Sequence, residues 1–125
     1  MKDIETREDI VLLVDTFYQK INEHAALGYI FNSVAKIDWA AHLPKMYSFW
    51  ASILLGEQSY SGNPMLKHLA LSAKTKLSAN KFKEWLRLFK STVYELFEGE
   101  KADMAVVRAE NIARLMLFKI EAKHE

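Results

Sequence analysis

Most of the chemistry open to this chain rests on four histidines and a few hydrogen-bond donors. His42 lies in "DWAAHLPKMYSFW", residues 38–50, with Met46, Phe49 and Ile53 at four, seven and eleven positions beyond it. That spacing puts all four on one helix face. The face is expected to turn inward, with Trp39 and Trp50 on its edge. His68 stands in "MLKHLAL", 26 residues later, also among apolar side chains. A lone imidazole on an apolar face is usually a hydrogen-bonded core residue. Two of them, on segments that a loop can fold opposite each other, also suit a flat metal-bearing cofactor: one ring binds the metal, the other faces its open position. From the residues alone both readings stand. His24 is explained by its place near a helix end, where a cation offsets the dipole. His124 completes Glu-x-x-His with Glu121, half of a di-iron pattern, but the sequence holds no second copy.

The elements that must position these side chains read as helices, and no strand is convincing. Thr6 caps the first, with Asp9 three residues on in a weak capping box. Its buried stripe is Ile10, Val14, Phe17 and Ile21, with Tyr18 on the edge. Gly28 marks a break, and "YIFNSV" reads as a short turn or 3₁₀ piece. Asp38 opens the helix that carries His42. Pro44 lacks a backbone donor, so this helix must begin late, start as a looser turn or bend there. Gly56 stops it. "GEQSYSGNP" reads as a loop and "MLKHLAL" as a brief apolar turn. Ser78 caps a long helix with Phe82, Leu86, Phe89, Val93 and Phe97 on one face, Trp85 and Leu96 beside them, and Gly99 at its end. The last helix spans about Asp103 to Ala122, with Ala105, Ala109, Ile112, Met116 and Ile120 inward. This is a single all-α domain over residues 1–125, four substantial helices plus short pieces.

The totals narrow the chemistry. The chain is 125 residues long, enough for one real core, half hydrophobic and with a net charge of +1. That charge implies no general attraction to nucleic acid or membrane. There is no cysteine, which excludes disulfides, thiolate nucleophiles and cysteine-bound zinc. No secretory signal or membrane-length apolar run is visible, so a cytoplasmic protein is expected. Charge is uneven: residues 67–90 carry seven Lys/Arg against Glu84 alone. A solvated helix face is the favoured reading of that stretch, over a local anion site.

"FYQKI", "LGYIFN", "HLPKMYSFWASILLGE", "YSGNPMLKHLAL" and "FKEWLRLF" resemble, in this order and at compatible spacing, the group III truncated haemoglobins of the bacterial globin family. The likeness covers nearly the whole chain. H-x-P-K-M-x-x-F-W together with G-N-P-M-x-x-H is its most specific part, and the paired-glycine motifs of the other two truncated groups are missing. Pro44 is in keeping with the family pattern. The resemblance implies a truncated globin fold, a shortened helical sandwich around haem b. It implies that His68 is the proximal iron ligand and that Phe31 wedges against the haem. It makes Tyr18, His42 and Trp85 the distal residues, with Met46 leaning over the same side. Phe49, Trp50 and Ile53 would extend that wall. Leu71, Phe82, Ile112 and Met116 are pocket candidates from their inward faces, and Lys45 and Lys67 candidates for the haem propionates. From the residues alone, Tyr18 is a helix-edge tyrosine with its hydroxyl in water, and Trp85 fills core.

A gas bound to ferrous iron becomes partly negative, and the Tyr18 O–H and Trp85 N–H are donors for that charge. His42 is a third donor, a partner for Tyr18 or a swinging gate. The leading expectation is a protein that reversibly binds dioxygen, carbon monoxide, nitric oxide or related ligands, as a monomer or weak dimer. A second is a haem enzyme, a nitric oxide dioxygenase or peroxidase-like, drawing electrons from an external reductase. A third is a haem-free helical interaction or sensor domain.

Overall fold

A computed structural model describes residues 1–58 and 79–124, with side chains as far as Glu121. Among these residues all regular structure is helical: α1 (Arg7–Glu23), α2 (Ala25–Tyr29), a π-helical turn (Ile30–Val34), α3 (Trp39–Leu55), α4 (Ala79–Leu96) and α5 (Glu100–His124). The all-α expectation is met. His68, Lys67, Leu71, the Ser78 cap and most of the "GEQSYSGNP" loop lie outside the described residues.

α1 starts where the capping signal places it. Thr6 Oγ1 accepts from the Asp9 amide, and Asp9 returns the bond to the Thr6 amide. Ile10, Val14, Phe17 and Ile21 are buried, so the stripe read from spacing is the face that packs. It meets α3 on one side and α4 on the other. α4 packs in turn on α5, and Phe89, Val93 and, just past the end of α4, Phe97 share one core with Ala102, Ala105, Val106 and Ala109. The small α5 residues let the two helices approach closely, while the α4 rings fill the space.

The N-terminal segment ties both ends together. Asp3 accepts from the amides of Lys101 and Ala102, two unpaired donors at the start of α5, at 2.9 Å each. Ile4 beside it is fully buried.

Four local expectations are corrected. Gly28 sits inside α2, and the chain breaks at His24 instead, in extended conformation. There the His24 Nδ1 accepts from the Leu27 amide at 3.2 Å and caps α2, while Nε2 lies 3.3 Å from Glu84. Gly28 is small for a different reason: a Cβ would come within 2.9 Å of the Asn22 carbonyl oxygen. "IFNSV" forms a π-helical turn rather than a 3₁₀ piece, closed by Ala35 N–H donating to Ile30 O at 2.8 Å. α3 begins at Trp39, so of the three outcomes open at Pro44 the late start is set aside. Ala40, whose carbonyl loses its ladder donor, is exposed, as is Pro44. α5 starts three residues before the expected Asp103.

Candidate functional site

Tyr18 is where the elements converge. It follows Phe17 on α1 and is only 9% exposed, not the solvent-edge tyrosine that helix spacing alone describes. Burial pushes its phenol well above the ordinary tyrosine value. The hydroxyl therefore keeps its proton at any physiological pH and stays a donor.

His42, in the first turn of α3, brings Nε2 to 3.3 Å from the Tyr18 hydroxyl. Their rings meet nearly edge to face, 5.3 Å apart at 79°. Of the roles open to His42 from sequence, partnership with Tyr18 is the one this arrangement displays. The whole His42, Met46, Phe49 and Ile53 face is half-buried rather than inward. The fully buried side of α3 is Trp50, Ala51 and Leu54.

Two rings frame the pair. Trp39 lies 5.3 Å from Tyr18 and 5.7 Å from His42, and Phe31 stacks on Trp39 at 9° and reaches Tyr18 at 6.0 Å. The frame is pinned by amides. Trp39 Nε1 donates to Asn32 Oδ1 at 2.9 Å, and Asn32 Nδ2 donates to Asn22 Oδ1 and the Gly28 carbonyl. The π-helical turn matters here, because it carries both Phe31 and Asn32. Sequence reasoning left Trp39 on the edge of its helix face and omitted Asn32. The available signal was position, since Trp39 is one helical turn before His42.

Trp85 joins from α4. Its ring stands edge-on to Phe17 at 5.6 Å and stacks on Phe89 at 5.8 Å. Phe17 in turn lies 5.0 Å from Tyr18. Phe31, Met46, Phe49, Ile53, Phe82 and Ile112 pack on the core yet stay half-buried. Trp50 belongs to the interior, 5% exposed and stacked on Phe89 at 4.8 Å, and Met116 is also buried. Lys45 is exposed. Among the described residues no buried side-chain nitrogen or oxygen lacks a partner, and no three His, Asp or Glu side chains gather to hold an ion. No described helix is long and apolar enough to cross a membrane.

Comparison with known proteins supplies the family. The bacterial-like globin family matches residues 2–118. The group 3 truncated haemoglobin of Campylobacter jejuni is 34% identical over 119 residues, covering 90% of this chain and 91% of that protein. The crystal structure of the group III truncated haemoglobin from Campylobacter jejuni superposes with a TM-score of 0.83 at 32% identity, covering 96% of this chain and 95% of the other. The all-helical fold and these matches have one explanation: the chain belongs to the bacterial-like globin family, in its group III truncated branch.

Proposed function

We propose that this protein binds haem b through His68 and reversibly holds a diatomic gas, dioxygen foremost, beside Tyr18, His42 and Trp85. The observation that carries the reading is the buried Tyr18 hydroxyl facing the His42 imidazole from a neighbouring helix. The Tyr18 hydroxyl has been withdrawn from water and set among apolar rings, with the half-buried His42 imidazole as its polar partner. The surrounding side chains fit a flat apolar cofactor. Phe31, Met46, Phe49, Ile53, Phe82 and Ile112 are large, rest on the core and are left incompletely covered. Membership of the globin family supports haem as that cofactor.

Haem, held through His68, would supply a ferrous iron able to bind and polarise a diatomic ligand. Everything else is done by this chain. The pair of Tyr18 and His42 has two directions. With Nε2 unprotonated, Tyr18 donates to His42. With Nε2 protonated, His42 donates to the Tyr18 oxygen, and the Tyr18 O–H is released toward the gas. Trp39 and Phe31 keep the tyrosine ring from rotating away, so the donor is aimed before the ligand arrives. The Trp85 N–H is a further donor from α4. Lys45 and Lys67 are candidates for the propionates. Dioxygen, carbon monoxide and nitric oxide are the expected ligands, and the cytoplasm the expected compartment.

The purified protein should show an intense Soret band that is lost in His68→Ala while the far-ultraviolet helix signal persists. A colourless wild-type protein that takes up no added haem would overturn the proposal.

A further inference from the structure

The outward face of α5 carries a pattern the gas site does not use. Its inward side is Ala102, Ala105, Ala109, Ala113, Met116 and Ile120, all buried. On the opposite side Met104, Val107, Leu115 and Phe118 stand 40, 53, 49 and 68% exposed. At about 3.6 residues per turn they form one stripe, with exposed Asn111 at its centre. Single exposed apolar residues are ordinary, but a continuous row along a helix marks a contact surface.

The charges beside the stripe are largely sorted by sign, with Glu100 in line with the stripe at its start and Arg114 on the acidic flank as the exceptions. Lys101, Arg108 and Lys119 lie on one flank, Lys101 half-buried and close to Asp3, and Asp103, Glu110 and Glu121 on the other. Asp103 accepts from the Tyr94 hydroxyl at 2.7 Å, and Arg114, the one base on the acidic flank, leans to Asn111 Oδ1 at 3.5 Å.

We propose that a second copy of this chain docks here, α5 against α5, with the two helices parallel about a two-fold axis along their length. In that arrangement the basic flank of each copy faces the acidic flank of the other. Each of the three bases precedes an acid by two positions, an offset of about 3 Å along the axis. An antiparallel pair centred on Asn111 does the opposite. It faces each flank with itself, bringing Lys101 beside Lys119 of the second copy and Asp103 beside Glu121. Flank charges of this kind set partner orientation in helix pairs, and a polar Asn within an apolar seam fixes register in parallel ones. Asn111 has that position. A single helix-on-helix contact falls near or below the roughly 1,200 Å² of standard interfaces, so the dimer is weak and concentration-dependent.

Sedimentation equilibrium of the full chain should show a mass rising with concentration from 14.5 kDa toward twice that value. Phe118→Glu should weaken self-association at least about tenfold, through loss of a buried ring. Leu12→Glu, at an exposed apolar residue on α1, should leave it unchanged. The chain has no cysteine, so an introduced one reports a single position. Met104→Cys alone and Phe118→Cys alone should each cross-link under mild oxidation. A monomer at every concentration, an association insensitive to Phe118→Glu, or cross-linking only when the two cysteine variants are mixed would each overturn the parallel dimer. The gas site takes no part, so failure here leaves the haem reading untouched.

Discussion

Tyr18 and Trp85 are donors whose value depends on what they face. A hydrogen bond to a charged group contributes about 1.5–3 kcal/mol. Losing one such donor should therefore raise the rate of dioxygen release by about tenfold or more in Tyr18→Phe, read by stopped-flow displacement with carbon monoxide. The ring and its contacts with Phe31, Trp39 and Phe17 survive that substitution, so the change isolates the hydroxyl. An unchanged release rate would remove Tyr18 from the ligand's surroundings. The identity of this residue was legible in the sequence only through family likeness. Helix spacing puts Tyr18 on the edge of a buried stripe, where a tyrosine normally reaches water. Its burial is a tertiary effect, produced by Trp39 and Phe31 arriving from segments roughly 13–21 positions away, and no local period reports that. His24 shows the same limit. Its place near a helix end was visible, but its capping of α2 and its contact with Glu84 depend on where the chain turns.

At the scale of elements, periodicity found the buried faces of three long helices, missed that of α3, which turns Trp50, Ala51 and Leu54 inward instead of the His42 face, and failed where helices are short. The stripes of α1, α4 and α5 were readable because each repeats over several turns. α2 and the π-helical turn are five residues each, too short for a period, and Gly28 there was read as a breaker. The glycine instead lets α2 fold back onto the end of α1. A Cβ at residue 28 would meet the carbonyl oxygens of Asn22 at 2.9 Å and Ile21 at 3.3 Å. Both are backbone atoms that cannot swing aside. Gly28→Ala should thus destabilise the protein by about 1–3 kcal/mol, the usual cost of overpacking, despite alanine's better helix propensity. The check is a lower denaturant midpoint with an unchanged slope. A midpoint at or above that of the wild type would mean that α2 can move, and with it the Phe31 and Asn32 frame.

The molecule as a whole is closed by its first nine residues, and that closure is acid-sensitive. Asp3 bridges the N-terminal segment to the start of α5. Burial opposes its charge, but the amides of Lys101, Ala102 and Ile4 and the Lys101 cation outweigh burial and hold the carboxyl below its usual range. Asp9 is shifted further. Burial again works against the ionised form, yet the Lys2 ammonium at 2.5 Å and the amides of Glu5 and Thr6 bring it down to about 2. A group with a lower pKa in the folded state favours folding wherever the unfolded chain would also be ionised. The contribution is complete above about pH 4, the ordinary aspartate range, and is lost as pH falls through the folded-state value. Below pH 4 the unfolded chain takes up protons that folded Asp9 still refuses, so stability must fall toward pH 2. Asp9→Asn removes the titration together with the ion pair and the carboxylate that receives the Glu5 and Thr6 amides. It should be less stable than the wild type at pH 7 and should lose less stability between pH 4 and pH 2, measured by denaturant unfolding across that range. Parallel pH dependence in the two proteins would mean that Asp9 ionises alike in the folded and unfolded chains, and that some other carboxylate governs acid unfolding.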